Sequence, residues 1–323
     1  MKQVWIILFL GIFIFGSLGC HDTAKPPQLI IDNGNDGIGV IRGNSNGNLH
    51  NKGRSLCDGL DIYYVDQESD PVCICKYDLS SKEMQVLVEF KNEELSWNIG
   101  FLNLIGTNLY YVDGIFNKDV QSVFQVSISD KSLKRIGDFS GLRFFLAAYD
   151  KLFITDDDGT LICDMNGNEG YRLDGFYLSG TMDGLLYGYR MDVDGCFAVD
   201  LDGKEIAYYT EVENPIPLYG RLIELNNLHG ELLEYKGMIT MLDVASNESK
   251  SFPVPEIYCA SYYNVSRNAV YLQRYGEDET GEIYLVDWKG EGFRKVDDRI
   301  FTTGVSLWDD IILADYVPCD ELM

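Results

Sequence analysis

Apolar and aromatic residues come in short bursts, two to a unit with a polar turn between them, and the unit recurs about every 42 residues. The clearest copies are Asp61-Ile62-Tyr63-Tyr64-Val65-Asp66 followed by Ile74-Cys75-Lys76-Tyr77-Asp78-Leu79, and Asn108-Leu109-Tyr110-Tyr111-Val112-Asp113 followed by Val123-Phe124-Gln125-Val126. Weaker copies fall at Lys151–Ile154, Gly184–Tyr187, Glu231–Tyr235, Ala269–Leu272 and Asp310–Leu313. Aligned on Ile62, Leu109, Leu152, Leu185, Leu232, Val270 and Ile311, the units have the length of propeller blades. The pattern predicts an all-β chain, a β-propeller of about seven four-stranded blades. In the first unit the strands are expected over Arg54–Cys57, Ile62–Val65, Cys73–Tyr77 and Gln85–Phe90.

Between the third and outer strands of each unit stands a polar turn. It reads Asp78-Leu79-Ser80-Ser81-Lys82 in the first unit and returns as Ser127–Lys131, Asp164–Asn168, Asp200–Lys204, Asp243–Asn247 and Asp287–Gly290. Asn-Gly and Asp-Gly pairs supply the positive φ angles that tight hairpins require. A lone four-stranded sheet exposes both edges, whereas radial stacking buries the faces and leaves only short edges. The last unit, Phe301–Tyr316, holds only two strands. Leu29–Ile31 and Gly39–Ile41, two apolar runs near the other terminus, are expected to complete that blade. Six blades plus decoration is the competing count.

Residues 1–19 read as a signal peptide. Lys2 precedes an apolar or small run from Val4 to Gly19, shorter than the roughly 20 residues a spanning helix needs. The Gly19-Cys20 ending resembles a bacterial lipobox, which makes Cys20 the expected lipidation site, although Ser17 stands where Leu is usual and Leu18 lies one place late. An uncleaved anchor and plain secretion are the alternatives. Residues 20–53 read as a lipidated tether carrying the candidate closing strands, because Asn33–Gly53 is rich in Gly and Asn and offers little apolar surface. Residues 54–323 are left for the propeller, and the expected location is the cell envelope, membrane-anchored and facing outside the cytoplasm.

The Asp61–Asp66 strand, the Tyr77–Lys82 turn and the Val86-Leu87-Val88 strand resemble the low-density-lipoprotein-receptor-like propeller repeats of bacterial exported proteins, the DUF5050 family. The likeness covers about residues 55–316 and is strongest in the first two units. It implies an extracytoplasmic interaction module and carries no catalytic motif.

The formal net charge of −25 and pI of about 4.3 set the chain against nucleic-acid phosphates, and Lys and Arg are nowhere concentrated enough to reverse this. Eight Cys are present without a CxxC pair or a Cys/His spacing of zinc-site type. Cys73 and Cys75 fall on one strand face by the two-residue period and read as buried apolar residues, with a redox or metal pair as the alternative.

Gly43-Asn44-Ser45-Asn46-Gly47 matches the nucleophile-elbow spacing but lacks the flanking strand and helix that expose such a serine. His21, His50 and His229 have no acid or nucleophile at a recognisable distance along the chain. Thr155–Thr160, Asp164–Glu169 and Asp192–Gly195 read as hairpin turns, with calcium as the alternative, since none has a full calcium-loop spacing. Arg143, Arg190, Arg221 and Arg274 are a set that a folded channel could bring together, and Tyr262, Tyr263 and Trp308 are candidates for a channel mouth. The expected function is a non-enzymatic ligand- or protein-binding module with no catalytic residue, cofactor or metal. Its expected partners are the membrane, through the lipid, and a protein, peptide or glycan. An exported carbohydrate-active hydrolase or lyase with its site in the channel is the alternative.

Overall fold

The computed structural model describes residues 29–31, 43–67, 69–90, 99–115, 119–226, 237–253, 260–265, 269–275, 281–287, 294–297, 306–308 and 311–313. These residues form antiparallel sheets built in chain order. The first of the described elements are β1 (Leu29–Ile31) and the helix α1 (Asn46–His50). The first sheet is β2 (Ser55–Cys57), β3 (Asp61–Asp66), β4 (Val72–Asp78) and β5 (Met84–Phe90). The second is β6 (Ile99–Ile105), β7 (Asn108–Asp113), β8 (Val120–Ser127) and β9 (Leu133–Ser140). The third is β10 (Phe144–Ala148), β11 (Lys151–Asp156), β12 (Gly159–Asp164) and β13 (Glu169–Asp174). The fourth is β14 (Tyr177–Met182), β15 (Leu185–Arg190), β16 (Val193–Val199) and β17 (Glu205–Tyr209). The fifth is β18 (Ile216–Leu218), β19 (Arg221–Asn226), β20 (Met238–Asp243) and β21 (Glu248–Pro253). The sixth is β22 (Ala260–Val265), β23 (Ala269–Tyr275), β24 (Gly281–Asp287) and β25 (Arg294–Asp297). The last sheet has three strands, β26 (Ser306–Trp308), β27 (Ile311–Leu313) and β1.

Burial falls from the first strand of a sheet to its fourth. The first strands β2 and β18 are buried throughout, whereas β9 and β21 are mostly exposed or half-buried. One position anchors each four-stranded sheet. Ile62, Leu109, Leu152, Leu186, Leu222 and Val270, second in their second strands, are all 0% exposed. The landmark Leu185 thus lies one residue before the buried Leu186. In the fifth sheet the second strand is Arg221–Asn226, so Leu222 takes the place assigned to Leu232, and Glu231–Tyr235 lies outside the described residues.

Among the described residues, the first strand pairs with the last. β1 pairs with β27 in the register Leu29↔Leu313, Ile30↔Ile312 and Ile31↔Ile311, as the unassigned apolar run predicts. Gly39–Ile41, the cysteines 20, 259 and 319, and the whole signal segment lie outside the described residues. Among those described, no helix is long and apolar enough to cross a membrane.

The recurrent turn is built by its aspartate. Asp78 Oδ1 accepts from the Ser80 and Ser81 amides and the Ser80 hydroxyl, and Asp164, Asp200 and Asp243 repeat the arrangement. Lys82 at φ 62 and Gly167 at φ 84 supply the left-handed residue that such turns require. These bonds hold Asp78 at a pKa of about 2, the Ser80 hydroxyl contributing most.

Residues 43–53 correct the tether reading. They lie inside the fold, where Leu49 and Asn48 are fully buried, and α1 touches the first strands β10, β14, β18, β22 and β26. The stretch is a plug.

Candidate functional site

In a ring of sheets the first strand of each presents a free edge, and its unpaired carbonyls and amides need partners. The plug supplies them through asparagine, a short side chain that both donates and accepts. Asn44 Nδ2 donates to the carbonyls of Ser55 in β2 (2.9 Å) and Leu102 in β6 (2.8 Å). Asn46 Nδ2 donates to those of Thr181 in β14 (2.8 Å) and Pro217 in β18 (2.7 Å), while its Oδ1 accepts from the Thr181 amide. Asn264 in β22 donates to Asn48 Oδ1 at 2.8 Å. Gly43 exchanges two bonds with Leu104, and the carbonyls of Lys52 and Gly53 accept from Phe101 and Leu102. Two glycines make the fit possible. A Cβ on Gly47 would overlap the side-chain oxygen of Asn264, and one on Gly180 would come within 2.6 Å of Asn46 Oδ1.

Two titratable groups enter the channel with the plug. His50 Nε2 lies 2.8 Å from the Ser179 carbonyl, and its ring meets Phe144 edge-on. Desolvation lowers its pKa to about 4, so the ring is neutral at neutral pH. Lys52 lies over the Phe101 ring and is likewise shifted down by burial. Ser45 caps α1 by accepting from the Asn48 amide at 3.0 Å, and His50 is spent on Ser179, so the elbow-like spacing builds no nucleophile–base pair.

Above the start of the plug lies a cavity of about 470 Å³. Asn44, Ser45 and Asn46 form its floor, and Ile105, Leu146, Met182 and Pro217 are among its apolar walls. Its rim is a set of two-residue hairpins joining first to second strands. These are Tyr149-Asp150 between β10 and β11, Asp183-Gly184 between β14 and β15, and Tyr219-Gly220 between β18 and β19. All six residues have positive φ, the signature of type I′ turns. Tyr149 and Tyr219, at φ 52 and 48, occupy positions where Gly or Asn costs less, and both residues are more than two-fifths exposed. The Tyr149 hydroxyl accepts from the Gly184 amide at 3.0 Å, which ties two hairpins of the rim together. Aromatic faces beside carboxylates over an apolar cup suit a neutral or cationic ligand with an apolar face, such as a sugar or a peptide side chain.

Three of the carboxylates weighed for calcium are engaged within the fold. Asp156 takes both guanidinium nitrogens of Arg172 (2.5 and 2.8 Å), Asp157 takes Arg143, and Asp164 caps its own turn. Arg190 reaches Glu205 at 3.8 Å. Arg143 and Arg190 therefore serve their own sheets and do not meet. Arg221 opens β19 and Arg274 lies in β23. Tyr63, Tyr64, Tyr110 and Tyr111 are buried packing residues. Tyr262, Tyr263 and Trp308 do lie on first strands, β22 and β26. Cys73 and Cys75 are buried with their sulfurs 3.2 Å apart, and Ser69 Oγ is 3.2 Å from Cys73. The rim residues Tyr149, Asp150, Asp183 and Tyr219 escaped the sequence reading. Their signal was a two-residue Tyr-Asp, Asp-Gly or Tyr-Gly pair lying between two apolar runs.

No protein-family model matches the chain, and no curated protein matches it by sequence. The likeness to DUF5050 repeats therefore rests on the repeat residues alone. Among solved structures the chain is similar to a streptogramin B lyase (TM-score 0.51, 11% identity, 90% of this chain and 98% of that one). It is similar to the β-propeller domain of the Trilobed protease from Pyrococcus furiosus (TM-score 0.50, 14% identity, 84% and 89%). It also resembles the acylaminoacyl peptidase of Pyrococcus horikoshii (TM-score 0.51, 14% identity, 75% of this chain), of which it spans 44%. At these identities the similarity carries the fold and no activity: the chain is a β-propeller.

Proposed function

We propose that this protein is an envelope-anchored, non-enzymatic binding module that takes a glycan or peptide at the tyrosine-rimmed mouth of its plugged channel. One observation carries the reading. Tyr149 and Tyr219 sit in left-handed conformations that cost a non-glycine residue about 1 kcal/mol each, and both residues line the cavity. A position that breaks a local preference and faces a pocket is a functional candidate. The hydrolase alternative needs converging acids inside the channel. The plug instead fills that space with amides and a neutral imidazole. Asp150 and Asp183 lie at the rim on adjacent sheets and are the carboxylates through which that alternative would have to act.

Anchorage through Cys20 is the second half of the proposal, since several acyl chains hold a protein on a bilayer nearly permanently. Two experiments test the pair of claims. Cys20→Ala should move the protein from the membrane to the soluble fraction. Neutral glycans and cationic peptides titrated into the full chain should bind at one site and be recovered unchanged, whereas cleaved product would favour the hydrolase.

A further inference from the structure

A second constellation lies in the first sheet, away from the cavity. Cys73 and Cys75 alternate onto one face of β4, and Asp66 stands directly opposite Cys73 on β3, which puts its side chain on that same face. One ligand atom from each of the three lies within 4.8 Å of the others, and all three residues are buried. Ser69, in the loop that joins the two strands, adds its hydroxyl at 3.2 Å from Cys73 Sγ, and its amide donates to Asp66 Oδ1 at 3.2 Å.

Three explanations compete for two sulfurs at 3.2 Å. A disulfide is disfavoured, because alternate residues of a strand have Cα atoms about 6.6 Å apart, near the upper limit for bridging. Plain apolar packing explains the thiols, and Ser69 caps its own loop, its amide donating to Asp66 Oδ1 and its hydroxyl to the Asp66 and Pro71 carbonyls, but neither explains why a buried carboxylate converges on the two sulfurs. Two thiolates on one tetrahedral zinc-type ion lie about 3.8 Å apart, which the pair reaches by a shift of about half an ångström. The loop above includes the exposed Asp70, so the distance to solvent is short.

We propose that Asp66, Cys73 and Cys75 form a binding site for a thiophilic divalent cation of the zinc class, with the Ser69 hydroxyl or a water completing four-coordination. Sulfur donors argue against calcium and magnesium, which take oxygen ligands. Binding displaces the two thiol protons and involves no change of oxidation state. Ligands drawn from β3 and β4 make the ion a brace within the first sheet, outside the binding function of the cavity.

The test is cobalt titration of the full chain, purified in detergent under reducing conditions and stripped by chelator. A thiolate-to-cobalt charge-transfer band should saturate at one equivalent, and zinc should abolish it at one further equivalent. Asp66→Asn should keep the band but require at least about tenfold more metal, as expected for loss of a ligand at such a site. Cys73→Ser/Cys75→Ser should lose it, and Cys163→Ser, a buried cysteine of the third sheet, should leave it unchanged. No band in the wild-type chain, a band that survives the double substitution, or a Cys73–Cys75 disulfide that persists under reductant would overturn the proposal. If the double variant does not fold, the wild-type stoichiometry and the Asp66→Asn affinity decide it.

Discussion

Asn264 on the innermost strand of the sixth sheet donates its side-chain amide to Asn48 Oδ1 in the plug at 2.8 Å, across 216 residues of sequence, and both residues are at most 1% exposed. Neither side chain reaches water, so each has to be satisfied inside the protein. The channel is thus stitched by amide groups where a globular core would use aliphatic packing.

The stitching predicts a large cost for losing one amide. Asn46→Ala leaves the Thr181 and Pro217 carbonyls and the Thr181 amide without their partner. We expect a loss of about 3 kcal/mol in chemical denaturation, from buried polar groups left unpaired.

Gly47→Ala tests the close approach of plug to ring. Its Cβ would overlap the Asn264 side chain and come within 3.3 Å of Val265 Cγ2. A cost of about 1–3 kcal/mol is expected for overpacking. Unchanged stability would place the plug elsewhere.

His50 predicts how stability depends on pH. Its folded pKa of about 4 lies below the ordinary 6.5, so between those values the unfolded chain binds more protons than the folded one. Stability should therefore fall as pH drops from 6.5 towards 4, by up to about 3 kcal/mol from this residue. His50→Gln should flatten that limb of the melting-temperature profile. Asp78 and Asp130, both held at about 2 by hydrogen bonds in their turns, lose their contribution only as pH falls from 3.8 towards 2. The two windows do not overlap.

Deleting residues 28–41 removes β1 and bares the edge of β27. We expect a lower denaturation midpoint, corresponding to about 2 kcal/mol of lost ladder bonds, with more association at high concentration. An unchanged midpoint would mean that this pairing does not close the ring.

The architecture was legible because its signals are local. The Asp61–Asp66 and Val72–Asp78 strands, the Asp78 turn and the Leu29–Ile31 closure all follow from short apolar runs and the turn chemistry between them. The plug was not, because Gly and Asn mean either a solvated tether or a tight, hydrogen-bonded filler. Only the partners of Asn44, Asn46 and Asn48 decide between them. The fifth sheet misled for a related reason. Glu231–Tyr235 carries the apolar pattern of a second strand, while the residue that fills the buried position is Leu222. The rim tyrosines lie in two-residue turns that look like connectors until the hairpins are seen to converge on one cavity.

The most direct test of the binding site is a thermal-shift comparison of the full chain with a Tyr149→Ala/Tyr219→Ala variant, across neutral glycans and cationic peptides, since a ligand of the native state raises its melting temperature. The account predicts that at least one ligand stabilises the wild type and loses at least tenfold in affinity in the variant, while the variant alone melts only slightly lower, since it gives up the Tyr149–Gly184 bond at an exposed rim. A ligand that stabilises both proteins equally, or the absence of any shift in the wild type, would contradict it.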